Sequence, residues 1–114
     1  MLYACEMTWR VETLNQTVDR ELDALPADMR ARFARTCQLI AAVGLNQMGA
    51  PHVRHLTGPL WEMRLAGRDG IARALYIAAA VRRVVVVRVF VKKTRRTPRR
   101  EIEVALRRAR EVLQ

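Results

Sequence analysis

The residues best suited to chemistry are cations that recur between residues 60 and 98 of this 114-residue chain. Arg64, Arg73 and Arg88 each fall in a separate run of alternating side chains, and Lys92 and Lys93 end the third run. Alternate side chains of a strand lie on opposite faces of a sheet, so three such runs can place their arginines on one face. The pattern therefore predicts a sheet with one apolar face and one basic face, which suits a polyanion such as RNA.

Three strands must position these cations. We predict them at residues 60–66, 71–79 and 84–91, with a loop at 67–70 and a turn at 81–83. In the third strand, strict alternation predicts an all-valine core face and an opposite face that cannot be wholly buried, because an unpaired cation is costly to desolvate. The core face consists of Val85, Val87, Val89 and Val91, and the opposite face of Val84, Val86, Arg88, Phe90 and Lys92.

The N-terminal half predicts one strand and a helical hairpin. The strand runs from Trp9 to about Thr13, where apolar and charged residues alternate. Asn15 or Thr17 caps a first helix, and Pro26 separates it from a second. The apolar stripes are Leu14, Val18, Leu22 and Leu25 in the first helix, and Met29, Phe33, Cys37 and Ile40 in the second. We expect this hairpin to cover the valine face of the sheet.

Residues 44–59 are rich in glycine and proline, which predicts a loop. His52 and His55 lie in it with HxxH spacing, but no third ligand stands nearby, so we predict no metal site. After the sheet, Thr97 suits a helix N-cap and Pro98 a first helical position, which predicts a final helix ending near Leu113. Its apolar stripe must dock either on this sheet or on a partner protein.

The formal net charge of +10 indicates nucleic acid, an anionic membrane surface or an acidic protein as the partner. The apolar run at residues 71–91 contains four arginines and is rich in valine, which argues against a membrane span. Residues 1–6 read as a leader, lack a signal-peptide pattern and leave Met7 as an alternative start. Cys5 and Cys37 follow no pairing or metal spacing, which favours reduced thiols in the cytoplasm.

Three segments follow one another in order: LWEMRL, GRDGIARALYIA and VVVVRVFVKKTRRTPRREIEVALRRA. This order resembles the RelE/HigB family of bacterial toxins, and more narrowly its phage-derived HigB-like branch. That branch has a short LxElR strand, a glycine followed by xxRxLY, a strand ending in FxKKT, and a TP-capped helix with ExxxA. The upstream segments WRVETL, LPADMRARF and PHVRHLTG also fit, so the resemblance extends over nearly the whole chain from Trp9 onward.

The resemblance implies a RelE-like α+β fold in a single domain over residues 1–114. An N-terminal helical hairpin would pack on a mostly antiparallel sheet of about four strands, with a C-terminal helix. It also implies the toxin of a type II toxin–antitoxin system, a cytoplasmic enzyme that cuts mRNA in the ribosomal A site and thereby inhibits translation and growth. The ribose 2′-OH would attack the adjacent phosphate without a metal or cofactor. The partners would be a helix-turn-helix antitoxin, the ribosome and mRNA, with operator DNA reached only through the antitoxin complex.

The resemblance also assigns roles to individual residues. Arg73 matches an arginine that stabilises the phosphate, and Lys92 and Lys93 match a basic pair that supplies charge and a proton. Arg64 would clamp the scissile phosphate, with Glu62 holding it. The candidate RNA contacts are Arg54, Glu62, Arg88, Phe90 (by stacking on a base), Arg95 and Arg96.

One departure from the wider family concerns the general base. Some members place a catalytic tyrosine or histidine near the C-terminus, whereas this chain has neither an aromatic residue nor a histidine after Phe90. A lysine can take that role only if neighbouring cations lower its pKa.

Other interpretations of the same residues stay open. The chain can be a non-catalytic module that binds nucleic acid or docks to a partner, while a membrane-surface protein is a weaker alternative. Glu62 and Arg64 can form a plain cross-sheet ion pair, Arg73 can be a surface residue, and residues 92–96 can be a solvated basic turn. We interpret Tyr76 and Trp61 as core residues.

Overall fold

The computed structural model describes residues 9–44, 53–79, 82–92 and 95–113. Within these ranges the chain forms a five-stranded sheet and three helices, which confirms the predicted α+β class. None of the described helices is both long enough and apolar enough to span a membrane. In chain order the elements are β1 (Arg10–Thr13), α1 (Gln16–Asp23), α2 (Ala27–Val43), β2 (Val53–Thr57), β3 (Leu60–Gly67), β4 (Gly70–Ala79), β5 (Arg83–Lys92) and α3 (Arg99–Leu113).

The strands lie in the order β1-β5-β4-β3-β2, and only the pair of β1 and β5 is parallel among the described strands. The sheet is therefore mostly antiparallel, as predicted. Two long hairpins set its register, which pairs Arg64 with Arg73, Arg73 with Phe90, and Ile71 with Lys92. Directly opposed residues of neighbouring strands project from the same face. One face of β3, β4 and β5 consequently carries the cations.

The helical hairpin of α1 and α2 covers the other face of the sheet. Asn15 caps α1, because its side chain accepts a hydrogen bond from the Val18 backbone N–H at 3.1 Å. Pro26 directly precedes α2, as expected. The core on this side buries Val18, Leu25, Met29, Ile40, Val53, Met63, Leu65, Ala72, Ala74, Tyr76, Val84, Val86 and Val89.

The C-terminal helix α3 docks on the opposite face of its own sheet. Ala105 and Ala109 are buried there, and the small side chains allow the helix to approach the strands closely. The stripe predicted from the sequence therefore faces the sheet and not a partner protein. This second core also buries Leu60, Leu75, Ile77, Val85 and Val87.

A β-bulge in β5 corrects the predicted all-valine face. The register pairs Tyr76 with Val86 but Leu75 with Arg88, so Val87 is an extra residue in β5. An extra residue reverses the alternation of side chains beyond it. Val85 and Val87 accordingly lie on the α3 side, whereas Val89 lies in the core beneath the hairpin. The prediction that these valines share one face was wrong, because strict alternation cannot anticipate a bulge.

The prediction of a loop over residues 44–59 was also wrong in part. Val53–Thr57 form β2, an edge strand that pairs antiparallel with β3. Such a strand takes its order from backbone hydrogen bonds to a neighbour, and the polar residues and flanking glycines and prolines hide it in the sequence. Residues 45–52, including His52, lie outside the described part of the chain.

We expect the two outermost valines of β5 to differ in their contribution to stability. Val89 is 2% exposed and Val91 is 42% exposed. Val89→Ala should lower the free energy of unfolding by about 2 kcal/mol, because it leaves a cavity in a packed core. Val91→Ala should change it by less than ~0.5 kcal/mol. Chemical denaturation of both variants measures the difference, and equal losses would contradict the described register.

Candidate functional site

A cleft of about 570 Å³ opens on the cationic face, where β3 and β5 end and β4 begins. Among the residues described there, five cations and two apolar residues line it. All five cations are site residues predicted from the sequence. The lining residues are Arg54, Arg64, Gly70, Ile71, Arg73, Lys92 and Arg95.

The register of four adjacent strands explains why these cations meet. Arg54 of β2 pairs with Glu62 of β3, and Arg64 of β3 pairs with Arg73 of β4. Lys92 ends β5 opposite Ile71, two residues before Arg73. Residues two apart on a strand share a face, so all these side chains project to the same side of the sheet. The cleft is therefore a product of strand pairing.

A buried carboxylate lies beneath the cations. Glu62 is 1% exposed, and its Oε1 accepts a hydrogen bond from Arg73 and forms an ion pair with Arg54 at 2.8 Å. Its Oε2 accepts a hydrogen bond from the Thr97 hydroxyl at 2.6 Å. We expected Glu62 to hold Arg64, but it holds Arg73 instead. Both side chains of that pair are buried, and a buried charge requires such a partner.

Burial and crowding of like charges lower the pKa of two cations in the cleft. For Arg73, burial disfavours the charged form and lowers its pKa, and the Glu62 carboxylate opposes this effect. For Lys92, burial lowers the pKa and the Arg73 charge adds to the shift, while Glu62 opposes it. A larger fraction of Lys92 is consequently neutral at a given pH than of an ordinary lysine.

Three cations of the cleft have no partner among the described residues. Arg64, Lys92 and Arg95 make no hydrogen bond or ion pair within the part of the chain that the structure describes. Arg64 and Arg95 are exposed, and Lys92 is partly exposed. These three groups are available to an anionic ligand, whereas Arg54 and Arg73 are already engaged by Glu62.

Other predicted site residues lie elsewhere. Arg88 donates hydrogen bonds to Glu21 at 2.5 Å and to Glu101 at 2.7 Å, and these carboxylates raise its pKa. Phe90 lies opposite Arg73 in the register but packs against the core beneath α3. Arg96 is exposed and adjoins Arg95 without lining the cleft. Lys93 lies outside the described residues.

The contact between Thr97 and Glu62 was not predicted from the sequence. The spacing of Thr97 before α3 predicted only a helix cap, yet its hydroxyl donates to Glu62, which lies 35 residues earlier in the chain. No local pattern links two residues so far apart. Within the described ranges, no group of three or more His, Cys, Asp or Glu residues could hold a metal ion. The His55 ring nitrogen instead lies 2.9 Å from the Gly58 carbonyl oxygen.

Tyr76 is a core residue, as predicted. It is fully buried beneath the helical hairpin, on the face of the sheet opposite the cleft. Burial raises the pKa of its hydroxyl, so the group stays protonated at neutral pH.

Comparison with solved structures identifies the class of fold. A mutant of the E. coli toxin RelE in the free state is similar with a TM-score of 0.65 and 15% sequence identity, over 90% of this chain and 98% of that chain. The archaeal RelE–RelB complex from Pyrococcus horikoshii OT3 gives a TM-score of 0.53 and 21% identity, over 76% of this chain and 98% of that chain. The protein therefore has a RelE-like fold.

Sequence comparison then identifies the family. The family described as Phage derived protein Gp49-like matches residues 20–110, which is most of the chain. The protein belongs to this family, as the ordered strand and turn motifs indicated. Among curated proteins no match is found.

We expect Tyr76→Phe to leave the protein folded and the cleft unchanged. The Tyr76 hydroxyl is buried without a hydrogen-bond partner among the described residues. Its removal should leave the free energy of unfolding unchanged or raise it by about 1 kcal/mol. Thermal or chemical unfolding measures the effect. A clear loss of stability would show that the hydroxyl makes a hydrogen bond in solution.

We expect the pKa of Lys92 to be below that of an ordinary lysine. Lys92 and Lys93 are the two lysines of the chain, so NMR titration of a Lys93→Arg variant reports on Lys92 alone. Arg64→Ala should raise the pKa of Lys92, because it removes a nearby positive charge. Arg35→Ala is the control, since Arg35 is an exposed residue of α2, on the other face of the sheet. Equal effects of both variants would contradict the described site.

Proposed function

We propose that this protein is the toxin of a type II toxin–antitoxin pair and that it cuts mRNA on the ribosome. The observation that carries the proposal is the cleft, in which five cations from four strands and the following segment surround one buried carboxylate. Membership of the Gp49-like family and the RelE-like fold support it. In this proposal the whole chain acts as a single toxin domain.

The reaction is an attack of the ribose 2′-oxygen on the adjacent phosphorus. The 2′-oxygen–phosphorus bond forms as the phosphorus–5′-oxygen bond breaks, which leaves a cyclic phosphate and a 5′-hydroxyl. A base takes the proton of the 2′-OH, and an acid protonates the departing 5′-oxygen. Negative charge builds up on the phosphoryl oxygens in the transition state, so fixed cations aimed at them stabilise it.

The residues of the cleft match these requirements. Arg64 and Arg95 have no partner in the part of the chain that the structure describes and can contact the phosphate directly. Arg73 supplies a fixed charge from the floor of the cleft, where low exposure strengthens its field. Burial and the nearby Arg73 charge lower the pKa of Lys92, so this lysine can transfer the proton in the reaction. In this assignment Lys92 replaces the aromatic or histidine base that the C-terminal part of this chain lacks.

The partner we propose is a small helix-turn-helix antitoxin that occupies or covers the cleft. The protein would act in the cytoplasm, where ribosomes and mRNA are found, and would reach operator DNA only through the antitoxin complex. One of the similar structures is itself a complex of RelE with RelB. A short neighbouring gene for a helix-turn-helix protein is the first thing to look for.

We expect expression of the native chain without its antitoxin to arrest growth. Arg64→Ala and Lys92→Ala should each relieve the arrest and slow mRNA cleavage on purified ribosomes by about 100-fold, because each removes a group that acts on the transition state. Arg73→Ala and Lys93→Ala should also relieve it. Arg64 and Lys92 are the more informative pair, since neither side chain holds another residue in the described fold.

Arg35→Ala is the matched control, because it removes one positive charge from the opposite face of the sheet. It should arrest growth like the native chain. A native chain that is harmless without a partner, or Arg64 and Lys92 variants that remain fully toxic, would refute the proposal. A protein that binds RNA with steep salt dependence but never cleaves it on ribosomes would instead be a binding module.

A further inference from the structure

We infer that Glu62 is a positioning residue: its carboxylate fixes Arg73 and Arg54 and ties the segment before α3 to the floor of the cleft. The catalytic consequence of this inference rests on the proposed function. The geometric part does not, because it concerns contacts within the folded chain. Glu62 would not touch the RNA, since its side chain is 1% exposed.

Glu62 connects several parts of the fold. It belongs to β3, and its three partners come from β2, β4 and the segment before α3. Arg54 and Arg73 share Oε1, while the Thr97 hydroxyl donates to Oε2. One side chain thus joins four parts of the fold, and it does so directly beneath the cations.

Glu62 also compensates a buried positive charge. The guanidinium of Arg73 is almost fully buried, and its Nε has no partner among the described residues. Without Glu62, a buried positive charge would remain uncompensated, and Arg73 would have to move toward water. The Glu62 carboxylate therefore holds Arg73 at the floor of the cleft, while Arg64, Lys92 and Arg95 remain available to a ligand.

Glu62 also contacts the segment that follows β5. The strand ends at Lys92 and α3 begins at Arg99, and the described residues between them include Arg95 and Thr97. Thr97 is buried and anchored to Glu62, and Arg95 lies two residues before it and lines the cleft. The Thr97–Glu62 hydrogen bond therefore ties the segment that carries Arg95 to the floor of the cleft.

The charge of Glu62 also acts on Lys92. The charges that face it are Arg73 from β4, Arg64 and Glu62 from β3, and Arg54 from β2, while Arg95 lines the same cleft. Among these described groups Glu62 is the one with a negative charge. It opposes the effect of the cations on Lys92, so its removal lowers the pKa of Lys92 further.

Two variants separate this role from a merely structural one. Glu62→Gln keeps the size of the side chain but removes the charge, and Thr97→Val keeps the size but removes the hydroxyl. NMR titration in the Lys93→Arg background measures the pKa of Lys92, and the otherwise native chain gives the pH–rate profile on ribosomes. We expect Glu62→Gln to lower the pKa of Lys92, to shift the acidic limb to lower pH and to reduce kcat by about 100-fold.

Thr97→Val should reduce kcat without shifting the acidic limb, and Thr97→Ser should restore the rate because it restores the hydroxyl. A folded Glu62→Gln protein with an unchanged pKa of Lys92 would overturn the inference. If Glu62→Gln does not fold, the Thr97 pair decides, and equal rates for valine and serine would overturn it. If the native chain cleaves no RNA, the proposed function fails, but the pKa measurement still tests Glu62.

Discussion

The buried ion pair of Glu62 and Arg73 is the interaction on which the cleft depends. Each charge alone would be costly to remove from water, by several kcal/mol after relaxation. Together they offset much of that cost. Arg54 adds an ion pair to the same carboxylate oxygen, and the Thr97 hydroxyl donates a hydrogen bond to the other oxygen. Because the pair lies where β2, β3 and β4 run side by side, its geometry is inseparable from the pairing of those strands.

The arginines of the sheet and of α3 fall into two groups, which differ in the partners of their side chains. At the sheet edge, Arg88 and Arg108 are held by Glu21 of α1, and Arg88 also by Glu101 of α3. Glu21 also accepts a hydrogen bond from the backbone N–H of Val89, a residue of β5 that lies beyond the stretch paired with β1. This network joins both helical layers to β5. The cleft, in contrast, also holds Arg64, Lys92 and Arg95, which have no carboxylate partner among the described residues and are available to a ligand.

The crowding of cations has two consequences with a single cause. It creates a field that attracts a polyanion, and it adds to the effect of burial, which is the larger one, in lowering the pKa of Lys92. In the proposed mechanism, the same group of cations therefore attracts RNA and helps to activate the lysine. The 15% identity to the RelE mutant also shows that this fold persists when most side chains change.

The sequence by itself determined the elements whose signals are local. Alternation placed β3, β4 and β5 nearly to the residue, and apolar stripes with a cap and a proline placed the helical hairpin. It also identified all five cations of the cleft. These features could be predicted because side-chain periodicity and capping act within a few residues along the chain.

Only the tertiary structure decided which distant residues meet. It placed the bulge at Val87, ordered β2 at the sheet edge and paired β1 parallel to β5. It also gave Glu62 to Arg73 and Thr97 instead of Arg64, and removed Arg88 from the cleft. Such contacts join residues tens of positions apart, and their formation depends on how whole strands and helices pack. No pattern within a single segment contains that information.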